Sequence, residues 1–142
     1  MVRLACEGDA RFEASAIDAP HPDGSMNYTV DTLAKLRHEL PQAIVFAIAG
    51  ADSFLTLRQW REPDRLLELA EWIVVSRPGF PLNNLVSLNL TAEQRDRVHL
   101  VETLHEDISA TELRQQLEAR ENCGDWLPQA VAAYIAEHRL YR

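Results

Sequence analysis

Apolar positions gather in three short runs with little polar interruption: Ala43–Ala49 (AIVFAIA), Trp72–Ser76 at the head of "WIVVSRPG", and Val98–Leu104 (VHLVETL). Runs of this kind predict parallel strands covered on both faces. Between them the spacing turns helical. "YTVDTLAKLRHEL" (Tyr28–Leu40) puts Val30, Leu33, Leu36 and Leu40 on one stripe, with Thr29 as N-cap. "EPDRLLELAEW" offers Pro63 near a helix start, and Ser109–Arg120 and Leu127–Leu140 read as two further helices. Arg11–Asp18 (RFEASAID) alternates polar with apolar and predicts a strand. Ala19–Asn27, dense in Pro, Gly, Asp and Asn, predicts a loop. Leu82–Thr91 reads as loop followed by a short helical turn. The opening "MVRLACEGDA" resembles the middle or end of a helix, with Met1, Val2, Leu4 and Ala5 apolar. There is no repeat, low-complexity tract or linker. Strands alternating with helices give the α/β class with a parallel sheet, in one domain over 1–142.

Composition narrows the partners. Lys and Arg total 14 against 22 Asp and Glu, a net charge of −8. An acidic chain argues against nucleic acid, which calls for a basic face. One small anion remains open to it, because that needs only an arginine or two. No apolar stretch approaches the ~20 residues of a membrane-spanning helix, and the N-terminus lacks the basic-then-apolar order of a secretory leader. Cys6 and Cys123 fit neither a disulfide framework nor a metal site and read as free thiols of a reducing cytoplasm.

In parallel sheets ligands bind at the carboxyl ends of the strands. Three sets of polar residues fall there. Gly50, Asp52 and Ser53 follow the first apolar run, where Asp52 either caps the next helix or meets a ligand, two compatible roles. Arg77 ends the second run, just before Pro78–Gly79. After the third run, Ser109 and Glu112 have capping-box spacing, and Thr111 and Arg114 lie three apart on the opening turns of that helix. An arginine so near a helix N-terminus opposes the dipole; a phosphate would resolve the conflict by meeting hydroxyl, N–H groups and guanidinium together. Arg77 and the Ser109 turn, each taken alone, read as ordinary structure. The coincidence of all three sets at strand ends favours a phosphate-bearing ligand. Trp60, between Arg58–Gln59 and Arg61–Glu62, suits a flat ring and core packing equally, whereas Trp72 and Trp126 read as structural. The five histidines have no metal-ligand spacing, and no Ser-His-Asp or Cys-His set can be argued.

"NYTVDTL", "AGADSFLTLRQW", "IVVSRPG", "ISATELR" and the closing "YIAEHRLYR" together resemble the bacterial nicotinate-nucleotide adenylyltransferase family, over nearly the whole chain and in order. "GADS…W" with "ISATELR" is the specific pair. The resemblance implies a doubly wound, Rossmann-like nucleotidyltransferase sheet. It implies transfer of AMP from ATP to nicotinate mononucleotide, giving deamido-NAD and pyrophosphate, with Mg²⁺. By it, Thr29 and Trp60 hold the nicotinate, the Arg61 backbone N–H meets the pyridine carboxylate, and Gly50 and Asp52 line the nucleotide cleft. Arg77 faces the adenosine half, and Ser109, Thr111 and Arg114 hold the ATP phosphates.

The family also carries Gly-Gly-x-Phe-Asp-Pro-x-His and His-x-Gly-His ahead of these segments, which cradle the α-phosphate. Neither motif occurs in these 142 residues. The chain is therefore expected to correspond to the C-terminal two-thirds of the fold, without its first strands and helix. It is also expected to self-associate through apolar surface left open there. Two further readings stand beside the enzyme: a non-catalytic nucleotide-binding or interaction domain that retains the phosphate pocket, and an α/β domain with no ligand. No catalytic residue is assigned. The 142-residue chain should show negligible deamido-NAD formation from ATP and nicotinate mononucleotide with Mg²⁺; turnover in the ordinary range of ~1–10³ per second would contradict that.

Overall fold

The three apolar runs do form strands, and they pair in sequence order. In the computed structural model, which describes residues 1–76, 82–102, 109–121, 123 and 126–141 (backbone alone at 82–84), the elements group into two compact units. One is formed by Ile17–His105 and the other by Met1–Ala16 with Glu106–Arg142.

In the larger unit, α2 (Thr29–Glu39), to which α1 (Val2–Cys6) of the other unit is antecedent in the chain, leads into β1 (Phe46–Gly50) and the short α3 (Ala51–Phe54). A 3₁₀ turn at Leu57–Gln59, α4 (Pro63–Leu69) and β2 (Glu71–Val75) follow. A second 3₁₀ stretch at Leu82–Leu88, α5 (Ala92–Asp96) and β3 (Val98–Val101) complete it. The sheet is parallel in the order β1-β2-β3, with Phe46 opposite Glu71 and Trp72 opposite Val98. This is the α/β arrangement expected from the alternation of strands and helices.

Packing explains each helix. Val30 and Leu33 bury the inner stripe of α2 while Leu40, at its C-cap, is exposed. Pro63 sits at the first position of α4, where its missing N–H costs nothing, and Leu66 and Leu67 are fully buried. These side chains meet Phe54, Leu57, Trp72 and Val74 in one core, against which Ala47, Ala49 and Val98 pack. Thr91 caps α5 in a reciprocal box with Gln94: each side chain bonds the other's backbone N–H. Arg97, just before β3, donates to the carbonyls of Leu67 and Glu68 at the end of α4, satisfying groups that a helix C-terminus leaves open.

Three expectations need correction. Arg11–Asp18 is not a strand: the Arg11 backbone N–H and guanidinium both turn back onto the Asp9 carboxylate, and the segment pairs with no described strand. The N-cap of α2 is Tyr28, in extended conformation, so Thr29 is the first helical residue. The first strand is not covered on both faces. Ala47 and Ala49 face the helices, whereas the side chains of Ile44 and Ile48 are 69% and 73% exposed, with Phe46 between them. A period of two governs the burial of this strand, although every residue in it is apolar. Arg77, Pro78 and Gly79 lie outside the described residues, as does the end of the third apolar run at Leu104.

In the smaller unit α1 packs on α7 (Gln129–Glu137), whose Val131 and Ile135 are buried. The unit also contains α6 (Ala110–Ala119). Cys6 and Cys123 are free thiols. No helix among the described residues is long and apolar enough to cross a membrane.

Leu66→Ala should lower the free energy of unfolding by about 2–5 kcal/mol through the cavity it leaves. Ile48→Thr, on the exposed face of β1, should change it by no more than about 0.5 kcal/mol. Denaturant titrations of the two variants check the contrast, and equal losses would contradict the one-sided burial.

Candidate functional site

The start of α2 and the segment after the 3₁₀ turn come together although some thirty residues separate them. Tyr28, Thr29, Trp60 and Arg61, with Asn27 and Leu66, line a cavity of about 270 Å³. Each wall is fixed by its own local chemistry. The Asn27 side-chain amide donates to the carbonyls of Asp18 and Ala19 at 2.9 and 2.8 Å, closing the preceding loop. Thr32, in the first turns of α2, donates its hydroxyl to Asp18 at 2.8 Å. The loop is thereby tied to the helix it feeds.

Trp60 combines the two roles that its sequence context left open. It is half-buried, and its ring meets Trp72 edge-on with centroids 5.9 Å apart. Its indole N–H donates to Thr56 Oγ1 at 2.9 Å, which fixes the ring's rotation. The ring is thus braced by the core on one side while lining the cavity. Arg61 follows, with its guanidinium carbon 4.4 Å from the centroid of the Tyr28 ring. Glu62 then takes a left-handed backbone conformation (φ 51°) as N-cap of α4, which turns the chain away.

Arg58 holds this segment from behind. It donates to the Leu88 carbonyl at 2.8 Å and to the Asp64 carboxylate at 2.6 Å. Gln94 donates to the same Asp64 oxygen at 2.9 Å. The Arg58 guanidinium, and after it the Gln94 amide, hold the Asp64 carboxyl below the usual carboxylate range.

Of the other expected residues, Gly50 is the N-cap of α3, at φ −69°, a conformation open to any residue. Asp52 stands in the first turn of α3, so it does not cap that helix; its Oδ1 is shielded from solvent. Neither lines the cavity beside Trp60. Ser109 is the N-cap of α6 and accepts from the backbone N–H groups of Thr111 and Glu112 at 3.3 and 3.5 Å. Thr111 and Arg114 are exposed on that helix. Arg77 is outside the described residues. Tyr28 and Asn27 were not singled out from sequence, although "NYT" contains both; the signal was the aromatic and amide flanking a helix start.

A larger cleft of about 560 Å³ lies between the second 3₁₀ stretch and β3, walled by Leu85, Val86, Leu90, Val98 and Leu100 with Asn89 and Arg95. It is mainly apolar and contains none of the sequence-predicted residues. Size alone therefore does not choose the site; the convergence of an aromatic plate, a hydroxyl, an amide and a guanidinium favours the smaller cavity. Among the described residues no group of three His, Cys, Asp or Glu could hold a metal ion.

Comparison with known proteins follows the same line. No family model matches the chain. A probable nicotinate-nucleotide adenylyltransferase of Thermus thermophilus is 38% identical over 142 residues, which cover all of this chain and 70% of the relative. Another, of Roseiflexus, is 39% identical with the same coverage. Among solved structures, the nicotinic acid mononucleotide adenylyltransferase of Plasmodium falciparum complexed with APC superposes with a TM-score of 0.60 at 18% identity. The match covers 86% of this chain and 62% of that one, and the same enzyme complexed with NaAD also matches at 0.60. At that identity the structural likeness speaks for the fold alone.

Because the Asp64 pKa is lowered in the folded state, its contribution to stability is complete above the unfolded value of about 3.9 and is lost as pH falls through the folded value. Asp64→Asn should therefore unfold at a lower temperature than the parent at pH 6, and the gap should close as pH falls from about 5 to about 2. A gap that stays constant across thermal melts in this range would remove Asp64 from the acid limb.

Proposed function

The chain belongs to the nicotinate-nucleotide adenylyltransferase family, a family of nucleotidyltransferases, and from that premise we propose that the cavity beside Trp60 seats the pyridine ring of nicotinate mononucleotide. The observation that carries this reading is the convergence of Thr29, Trp60 and Arg61 on one cavity from two separate segments. Trp60 offers the ring a flat, half-buried face whose rotation is already fixed by Thr56, so little conformational entropy is lost when the ligand stacks. Thr29 supplies a hydroxyl and Arg61 a backbone N–H.

The reaction is the attack of the mononucleotide phosphate oxygen on the α-phosphorus of ATP, with pyrophosphate leaving. Chemistry of this kind depends on positioning and on stabilising charge as it spreads over the transferring group. In the proposal Gly50 and Asp52 line the nucleotide cleft and Arg77 faces the adenosine. Ser109, Thr111 and Arg114 meet the ATP phosphates, the first two at a helix start whose N–H groups suit anions. Mg²⁺ accompanies ATP in this proposal; the described residues build no cluster of metal-binding side chains for it, so no protein ligand is assigned. The proposal includes a cytoplasmic site of action, in keeping with the two free thiols.

Titration with nicotinate mononucleotide should quench tryptophan fluorescence, and Trp60→Phe should abolish most of the quenching, because Trp72 is buried in the core. Undiminished quenching in Trp60→Phe, or none in the parent, would count against the pyridine seat.

A further inference from the structure

We infer that the Arg61 side chain, carried on the ring of Tyr28, is the group that makes this cavity favour a pyridine bearing a carboxylate over one bearing a carboxamide. The inference rests on the reading of the cavity as a pyridine seat and adds to it a role for two side chains beyond the Arg61 backbone.

The geometry supplies a cation with no strong partner. Three arginines lie near the cavity. Arg58 is committed to Asp64 at 2.6 Å and to the Leu88 carbonyl. Arg65 is committed to Glu62 at 2.9 Å. Arg61 has only a 3.7 Å approach to the same Glu62 carboxylate, too long for a hydrogen bond, and donates to no group among the described residues. Its guanidinium instead lies 4.4 Å from the Tyr28 ring centroid. The ring's negative face holds the cation without using any N–H donor. The five N–H groups remain available to a planar acceptor, and a carboxylate can take two of them side by side. A carboxamide, neutral and with one acceptor oxygen, cannot.

Charge sharpens the choice. The chain carries a net charge of −8, so an anionic ligand meets a repulsive field except where a local cation offsets it. Arg61 is that cation at this wall. Its side chain is about half exposed, so solvent and salt screen it and the discrimination is bounded. Tyr28 is a positioning residue: it touches the cation, and it is anchored by packing against the core.

The test is calorimetric titration of the full chain with nicotinate mononucleotide and, separately, nicotinamide mononucleotide. The two ligands share ribose and phosphate and differ only in the pyridine substituent, so the ratio of their affinities isolates it. The parent should prefer the acid. Arg61→Gln should reduce the ratio about 3- to 10-fold, with affinity for the amide changing by less than about twofold. Arg61→Lys should keep part of the preference. Tyr28→Phe, which retains the ring face, should preserve the ratio, whereas Tyr28→Leu should lower it. Raising salt to about 0.5 M should narrow the ratio in the parent and not in Arg61→Gln. An unchanged ratio in Arg61→Gln would overturn the inference while leaving the pyridine seat in place. Equal weakening of both ligands would also overturn it, by placing Arg61 on the shared ribose phosphate. Binding of neither ligand to the parent would overturn the seat itself. Binding of the amide also monitors whether each variant has folded.

Discussion

Trp72 ties the larger unit together. It stands in the central strand, 2% exposed, and each part of it engages a different element. Its backbone N–H donates to the Arg97 carbonyl at the entrance of β3. Its indole N–H donates to the Leu66 carbonyl inside α4 at 3.2 Å. Its ring lies 5.3 Å from Phe54 of α3 and meets the ring of Trp60 edge-on. An indole N–H in the core must find an acceptor or incur a desolvation penalty. That bond ties α4 to the central strand at Leu66, a residue that also lines the cavity beside Trp60. The cavity-lining Trp60 is thus braced by the core Trp72.

This coupling separates the parts of the fold that were legible in the sequence from those that were not. The parallel strands and the amphipathic helices were readable, because an unbroken apolar run and a 3.6-residue stripe each reflect local geometry. Pro63 was readable for the same reason. The one-sided burial of β1 was not, since Ile44, Phe46 and Ile48 are as apolar as the alanines that alternate with them, and composition cannot tell a buried face from an open one. Arg11–Asp18 misled in the opposite way: its alternation is sound, but alternation specifies a strand only where a partner exists, and Asp9 captures Arg11 first. The Thr91–Gln94 box was written in the sequence in the spacing expected of such a pair, within a segment read as loop and turn.

The candidate site divides along the same line. Thr29, Trp60 and Arg61 were grouped by the family resemblance, and they do line one cavity. Tyr28 was not, because its contribution is a contact with Arg61 across thirty-three positions, and no local pattern encodes which ring lies under which guanidinium. Ser109 was legible because a cap is local by nature: it accepts from the Glu112 N–H as the capping-box spacing expects, and from the Thr111 N–H as well, although the return bond from the Glu112 side chain is not among those of the described residues.

The sheet order repeats the chain order, and this has a kinetic meaning. Phe46 pairs with Glu71 and Trp72 with Val98, so each strand finds its neighbour about 25 residues away. No described strand waits for a more distant one to be inserted between it and its partner. The entropy of closing each loop is paid in two similar steps of modest size, and the contacts that define the sheet have short sequence separation for a parallel topology, which favours rapid assembly. The first crossover carries α4, whose Leu66 and Leu67 shelter the apolar side of the sheet, whereas α5 in the second buries no residue and Leu88 and Leu90 ahead of it supply the cover. The three described strands can therefore dock in chain order, β1 to β2 to β3.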